Sequence, residues 1–209
     1  MRSLLLIFLL LSGCSSPNDR VVLYCAQDRD FAQETLQRFT KRTSLEVVPK
    51  FDTESNKSVG LYVELIQDRH RPRCDVFWNN EILSTIRLQK EGMLQSYASP
   101  SAKSLPASYQ ASDHTWHAFS PRARVLIVHQ SLPREQWPET LSDLTHPRFQ
   151  GKIVLARPFH GTSATHVACL LASLGEAKTE ELFQGLKRNR AHLAPGNKQV
   201  AEWVSQGKT

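Results

Sequence analysis

The sequence predicts an α/β protein, with a parallel sheet in its first half and a second α/β unit starting near residue 115. Three observations carry this reading. Strand-length apolar runs alternate with helical stripes in the order β-α-β-α-β-α between Val21 and Gly92, the pattern that right-handed crossovers build into a parallel sheet. The first run is continuously apolar, as expected of a strand buried on both faces. Hydrophobic residues make up 40% and charged residues 22% of the 209, the balance of a folding chain and not of a disordered one.

Residues 21–25 form the first strand. Phe31, Thr35, Leu36 and Phe39 follow at helical spacing, with Asp28 or Asp30 placed to cap the helix. Residues 45–51 return to strand character, with Pro49 suggesting an exposed end. Val59, Tyr62, Val63 and Ile66 make a second helical stripe, and residues 75–78 a third strand. Ile82, Leu83, Ile86 and Leu88 lie on a third helix that Gly92 stops. Ligands of such sheets bind beyond the carboxyl ends of the strands. That rule singles out the loops 26–29, 52–57 and 79–81, all polar and expected to lie outside the core.

Residues 96–113 are rich in Ser, Pro and Ala and read as a crossover. Residues 116–120 and 124–129 look like strands around a bend at 121–123, and residues 152–156 like another. Ala164, Val167, Ala168, Leu171 and Leu174 form an apolar stripe expected to pack in the core and to end at Gly175. Residues 180–190 and 200–204 read as further helices.

The first residues carry a different message. The apolar block 4–11 is too short to cross a bilayer, which takes about 20 residues. With Arg2 before it and Leu11-Ser12-Gly13-Cys14 after it, it reads as an export signal. The small residues before Cys14 resemble the bacterial lipoprotein box, whose cysteine is acylated. Residues 15–19 then serve as a polar tether, and several acyl chains hold a protein stably to a membrane surface. Cys25, Cys74 and Cys169 match neither zinc nor C-x-x-C spacing, and Cys25 and Cys74 are expected as small hydrophobes. A net charge of +6 invites nucleic acid, but the basic residues are dispersed and not interleaved with aromatics. Anionic ligands or anionic lipid headgroups fit the charge equally well.

Gly161-Thr162-Ser163 stands between a strand and the apolar helix. Free N–H groups at a helix start, with two hydroxyls, make an anion pocket, and a hydroxyl there is expected to cap the helix. Gly161-x-Ser163 also approaches a serine-hydrolase elbow, but Thr165 replaces the closing glycine. An exported serine hydrolase using Ser163 is one alternative. His114 with His117, and His160 with His166, have the spacing of no closed zinc set. Arg122 and Arg124 share one side of an expected strand, so either they pair with carboxylates at a hinge or one contacts an anionic ligand, with Arg122 the residue expected at the ligand or between lobes.

Residues 20–97 and 116–205 resemble bacterial ABC-transporter solute-binding proteins of the type that captures ferric iron, extracellular solute-binding family 1. The resemblance lies in Val22-Leu23-Tyr24, in Cys74-Asp75-Val76-Phe77-Trp78 followed by Glu91-Gly92-Met93-Leu94, in Phe119-Ser120-Pro121-Arg122-Ala123-Arg124-Val125, and in His146-Pro147-Arg148-Phe149-Gln150-Gly151-Lys152-Ile153. It implies a periplasmic-binding-protein-like two-lobe fold that closes on its ligand. The division expected is a signal and tether over 1–19, an N-terminal α/β lobe over 20–114, and a second α/β lobe over 115–209. Family members continue into a further ligand-bearing strand, so the second lobe is expected to be incomplete, the chain being C-terminally truncated.

The implied function is that of a solute receptor of an ABC importer, exported and membrane-anchored, doing no catalysis and needing no cofactor. It takes ferric iron or an iron–anion complex and delivers it to a permease. Asp28, Asn80, Glu81, Arg122, Gly161, Thr162 and Ser163 are the implied ligand-binding residues. Asp28 and Glu81, with Glu54, are oxygen donors suited to hard ferric iron. The family's His or Tyr after the first strand is replaced here by Gln27-Asp28-Arg29, and its carboxylate after the third strand by Asn79-Asn80. A small organic anion or a phosphonate is therefore the alternative cargo. The chain is expected to act as a monomer with no nucleic-acid partner.

Overall fold

The computed structural model describes residues 20–52 and 59–208. The expected signal and tether, with Cys14, lie outside the described residues, as do Glu54 and most of the loop 52–57.

The first half holds a parallel sheet of order β2-β1-β3, made of β1 (Arg20–Cys25), β2 (Glu46–Phe51) and β3 (Val76–Trp78). Alternation along β1 sends side chains to opposite faces. Leu23 and Cys25 pack with Ala32 of α1 (Arg29–Thr43), while Tyr24 and Ala26 pack with Leu61 of α2 (Val59–Gln67). One helix covers each face, as the crossover rule requires. Ala26, expected in a loop outside the core, is 2% exposed and belongs to it. Cys25 and Cys74 pack on opposite faces of the sheet, which keeps them apart; both are free thiols. Burial pushes the Cys74 thiol up to about 11.

β2 is an edge strand, which is where a proline is tolerated. The Asp52 amide donates to the Cys25 carbonyl at 3.2 Å. By alternation Val48 and Lys50 also face β1, so the Pro49 nitrogen points away from the ladder.

α3 (Ile82–Lys90) follows β3 and buries Leu88, and Gly92 after it has φ +66°, the left-handed conformation that glycine adopts freely. The crossover contains short 3-10 turns over Pro100–Ala102 and Ala107–Tyr109. The second sheet pairs β4 (Val154–Ala156) in parallel with β5 (His192–Ala194), a strand not anticipated from sequence. Around it lie α4 (Gly161–Leu174), α5 (Glu176–Arg188) and α6 (Asn197–Ser205). Phe149, Ile153, Leu182 and Leu186 form one core cluster and Val154, Ala194 and Val204 another.

Two expectations fail here. Residues 116–120 and 124–129 are not ladder strands: beyond one isolated bridge between Gln110 and His117, residues 119–128 make no backbone–backbone hydrogen bond among the described residues. No strand pairs with these residues among the described residues, and Val125 and Ile127 are 72% and 49% exposed. The stripe on α4 is likewise not core: no α4 residue is buried, and Leu171 and Leu174 are each 44% exposed. Apolar residues surround much of this helix, and α5 covers only part of it.

Candidate functional site

The carboxyl ends of β1 and β3 bring two loops together. The Asn80 side-chain amide donates to the Ala26 carbonyl at 2.8 Å, clasping the loop after β3 to the loop after β1. Asp28 stands at the N-cap of α1, although its side chain makes no capping bond. Glu81 caps α3: its carboxylate accepts from the amides of Leu83 at 2.6 Å and Ser84 at 3.0 Å. It also accepts from the Asn79 amide at 3.1 Å and, across to α4, from the Thr165 hydroxyl at 3.4 Å.

Opposite these loops stand α4 and the segment 119–128. The Arg122 guanidinium donates to the Gln27 side-chain carbonyl, and the Trp78 and Phe119 rings lie 5.8 Å apart, so the amino end of the segment touches the carboxyl-end side of the first sheet. Arg124 Nη1 donates to Asn197 Oδ1 at 2.9 Å, and Asn197 Nδ2 donates to Thr162 Oγ1 at 3.4 Å. Asn197 opens α6 and Thr162 lies in the first turn of α4, so this chain of bonds joins two helix starts to a guanidinium. The N–H groups of a first helical turn lack intrahelical acceptors and carry the positive end of the dipole. Loss of solvent, and then the charge of Arg122, draw the Arg124 pKa down. His166 is held below 6.5 by burial and then by Arg124. Both shifts come first from lost solvent and second from a neighbouring guanidinium, whose charge an anion placed there would offset.

The expected Ser/Thr cap of α4 is corrected by this geometry. The N-cap is His160, with φ −141°, and its side chain makes no capping bond. Gly161, with φ +52°, already starts the helix, so the Thr162 and Ser163 hydroxyls fall inside the first turn. Among the described residues no His or carboxylate hydrogen-bonds Ser163, the contact that an activated serine nucleophile needs. Nor do three His, Cys, Asp or Glu side chains among them converge as a metal site.

Arg122, Thr162, Ser163 and His166 border an open hollow of about 1520 Å³, floored by Phe149, Leu182 and Leu186 and walled by Val167 and Leu170. Gln27, Thr165, His166 and Asn197 were not foreseen from sequence. Only proximity in the fold selects them, since none sits in a spacing that announces chemistry.

Residues 82–209 match the model of the family described as bacterial extracellular solute-binding protein. The chain belongs to this family. Among relatives of this solute-binding protein, the probable ABC transporter periplasmic-binding protein y4fP of Sinorhizobium fredii is 30% identical over 60% of the chain and 35% of its own length. The iron uptake protein A1 of Synechocystis is 22% identical over 95% of the chain and 58% of its own length. Among solved structures, iron-bound HitA from Pseudomonas aeruginosa superposes with a TM-score of 0.82 at 20% identity, over 91% of this chain and 60% of that one. The fold is thus that of periplasmic binding proteins. This solute-binding protein spans between about a third and three-fifths of the length of the relatives and structures it matches.

Proposed function

We propose that this solute-binding protein is the cargo-binding portion of an ABC-importer receptor, and that its cargo is ferric iron carried as a complex with an oxyanion. The observation behind the reading is the convergence of Arg122, Arg124 and the starts of α4 and α6, linked through Asn197 and Thr162. In this reading the anionic part of the complex lies against the N–H groups and hydroxyls of Gly161, Thr162 and Ser163. Asp28, Asn80 and Glu81 face it from the first sheet, with Asp28 and Glu81 offering oxygen to the metal. The lobe boundary falls between residues 114 and 115, and closure follows from tighter binding in the shut state. Cys14 carries the lipid anchor, a membrane permease receives the cargo, and the receptor works as a monomer.

Calorimetric titration of the chain with ferric citrate, citrate, phosphate, a phosphonate and a polyamine tests this. Ferric citrate should bind more tightly than citrate alone. Arg124→Gln should weaken ferric citrate about tenfold or more, as expected for losing a charged hydrogen bond of about 1.5–3 kcal/mol. Binding of none of these solutes would remove the reading. A second reading draws on the lack of three converging metal donors among the described residues: the cargo is a small organic anion or a phosphonate without metal. Equal affinity with and without iron would select it.

A further inference from the structure

A parallel β-α-β-α-β-α unit places the amino ends of its strands and the carboxyl ends of its helices at one pole. In this chain that pole is basic. The strand registers set Arg20 beside Glu46 at the start of β1 and β2, and the Asp75 amide beside the Val22 carbonyl at the start of β3. α1 ends in Lys41 and Arg42, and α2 runs out into Arg69 and Arg71. A cavity lined by Arg69, Cys74, Gly92 and Met93 puts the end of α3, with Lys90, against the same loop. Arg20, Lys41, Arg42, Arg69, Arg71 and Lys90 are all exposed, and none forms an ion pair among the described residues.

The acidic groups at this pole are mostly engaged. Asp68 is held by Arg73 at 2.7 Å, Asp75 accepts the Val22 amide at 2.8 Å, and Glu91 accepts from the Tyr62 hydroxyl at 3.4 Å. Glu46 remains beside Arg20. The six basic residues outnumber Glu46, Asp75 and Glu91, the acidic groups here that form no ion pair among the described residues, so a net positive field projects outward from this end of the sheet, away from the loops that carry the candidate site.

We infer that this pole is a docking face for anionic bilayers. The chain enters β1 at Arg20, in the middle of the patch, six positions after Cys14. Six residues reach at most about 20 Å, so an anchored chain keeps the patch within a few screening lengths of about 8 Å from the headgroups. The orientation clause rests on the lipid-anchor reading, whereas the electrostatic clause does not. Contact through this pole turns the carboxyl ends of the strands, and the site beyond them, toward the solution from which a solute arrives.

The test uses the full chain carrying Cys14→Ser, so that no acyl chain is present. Co-sedimentation with vesicles of phosphatidylcholine is compared with vesicles containing about one-third phosphatidylglycerol. Binding should require the anionic lipid and fall as salt rises from about 50 to about 300 mM. Each surface charge near an anionic leaflet is worth roughly fivefold in affinity. Arg42→Gln/Arg69→Gln/Arg71→Gln should therefore bind on the order of a hundredfold more weakly, and Glu46→Gln roughly fivefold more tightly. Equal binding to both vesicle types, or unweakened binding of the triple variant, overturns the inference. Displacement by inorganic phosphate beyond that by chloride at matched ionic strength also overturns it, by assigning the patch to a free anion. Neither Arg122 nor Arg124 lies at this pole, so failure here leaves the cargo reading intact.

Discussion

His166 illustrates how single residues report the field around the candidate site. Burial, and then the nearby Arg124 charge, keep its pKa below 6.5 in the folded chain. The unfolded chain therefore takes up this proton more readily, and the stability involved is present above about pH 6.5 and lost as pH falls through the folded value. Thermal unfolding of the ligand-free chain should shift to lower temperature between pH 7.5 and pH 5, and His166→Gln should reduce that shift. A bound oxyanion beside Arg124 should oppose it. Sequence could nominate Arg122, Thr162 and Ser163, because hydroxyls after a glycine and paired basic residues are local signals. His166 and Asn197 carry no such signal; they join the site only because α4 and α6 begin side by side. Glu81 shows the converse case, a residue nominated as an iron donor whose carboxylate caps α3 in the ligand-free chain.

Among the elements, α5 depends on one close approach. Gly185 packs so tightly on Thr145 that an added Cβ would meet its Cγ2 at 2.6 Å and its Cβ at 2.7 Å. Thr145 cannot swing aside freely, since its hydroxyl donates to the Ser142 carbonyl at 2.7 Å. Alanine favours helices over glycine by about 1 kcal/mol, yet overpacking costs about 1–3 kcal/mol. Gly185→Ala should therefore lower the urea midpoint, and Gly185→Ala combined with Thr145→Ser should recover part of the loss. The first sheet was legible because β1 is a continuous apolar run and helical stripes separate the three strands, with one helix covering each face. β5 was not, since His192 interrupts the short apolar stretch around it and Pro195 follows directly. Residues 124–129 have strand composition, but a strand needs a neighbour, and composition says nothing of whether one is present.

At the scale of the molecule, the apolar wall of the hollow remains in contact with water. Val125, Ile127, Phe159 and Leu193, which line it, stay exposed above the buried floor of Phe149, Leu182 and Leu186. Exposed apolar patches beyond a few hundred Å² are uncommon on soluble monomers. The chain should accordingly enhance the fluorescence of an apolar dye such as ANS under native conditions, and Val125→Ser/Ile127→Ser should diminish the signal. A native chain that leaves the dye dark would show that this surface is covered in solution. The flanks of the fold differ in a related way. With the Pro49 nitrogen turned outward, β2 offers an incoming strand a gap where a donor should be, so sheet-to-sheet polymerisation is blocked on that flank. Residues 122–128 form no backbone–backbone hydrogen bond among the described residues and contain no proline, so they should seed any fibril in preference to β2.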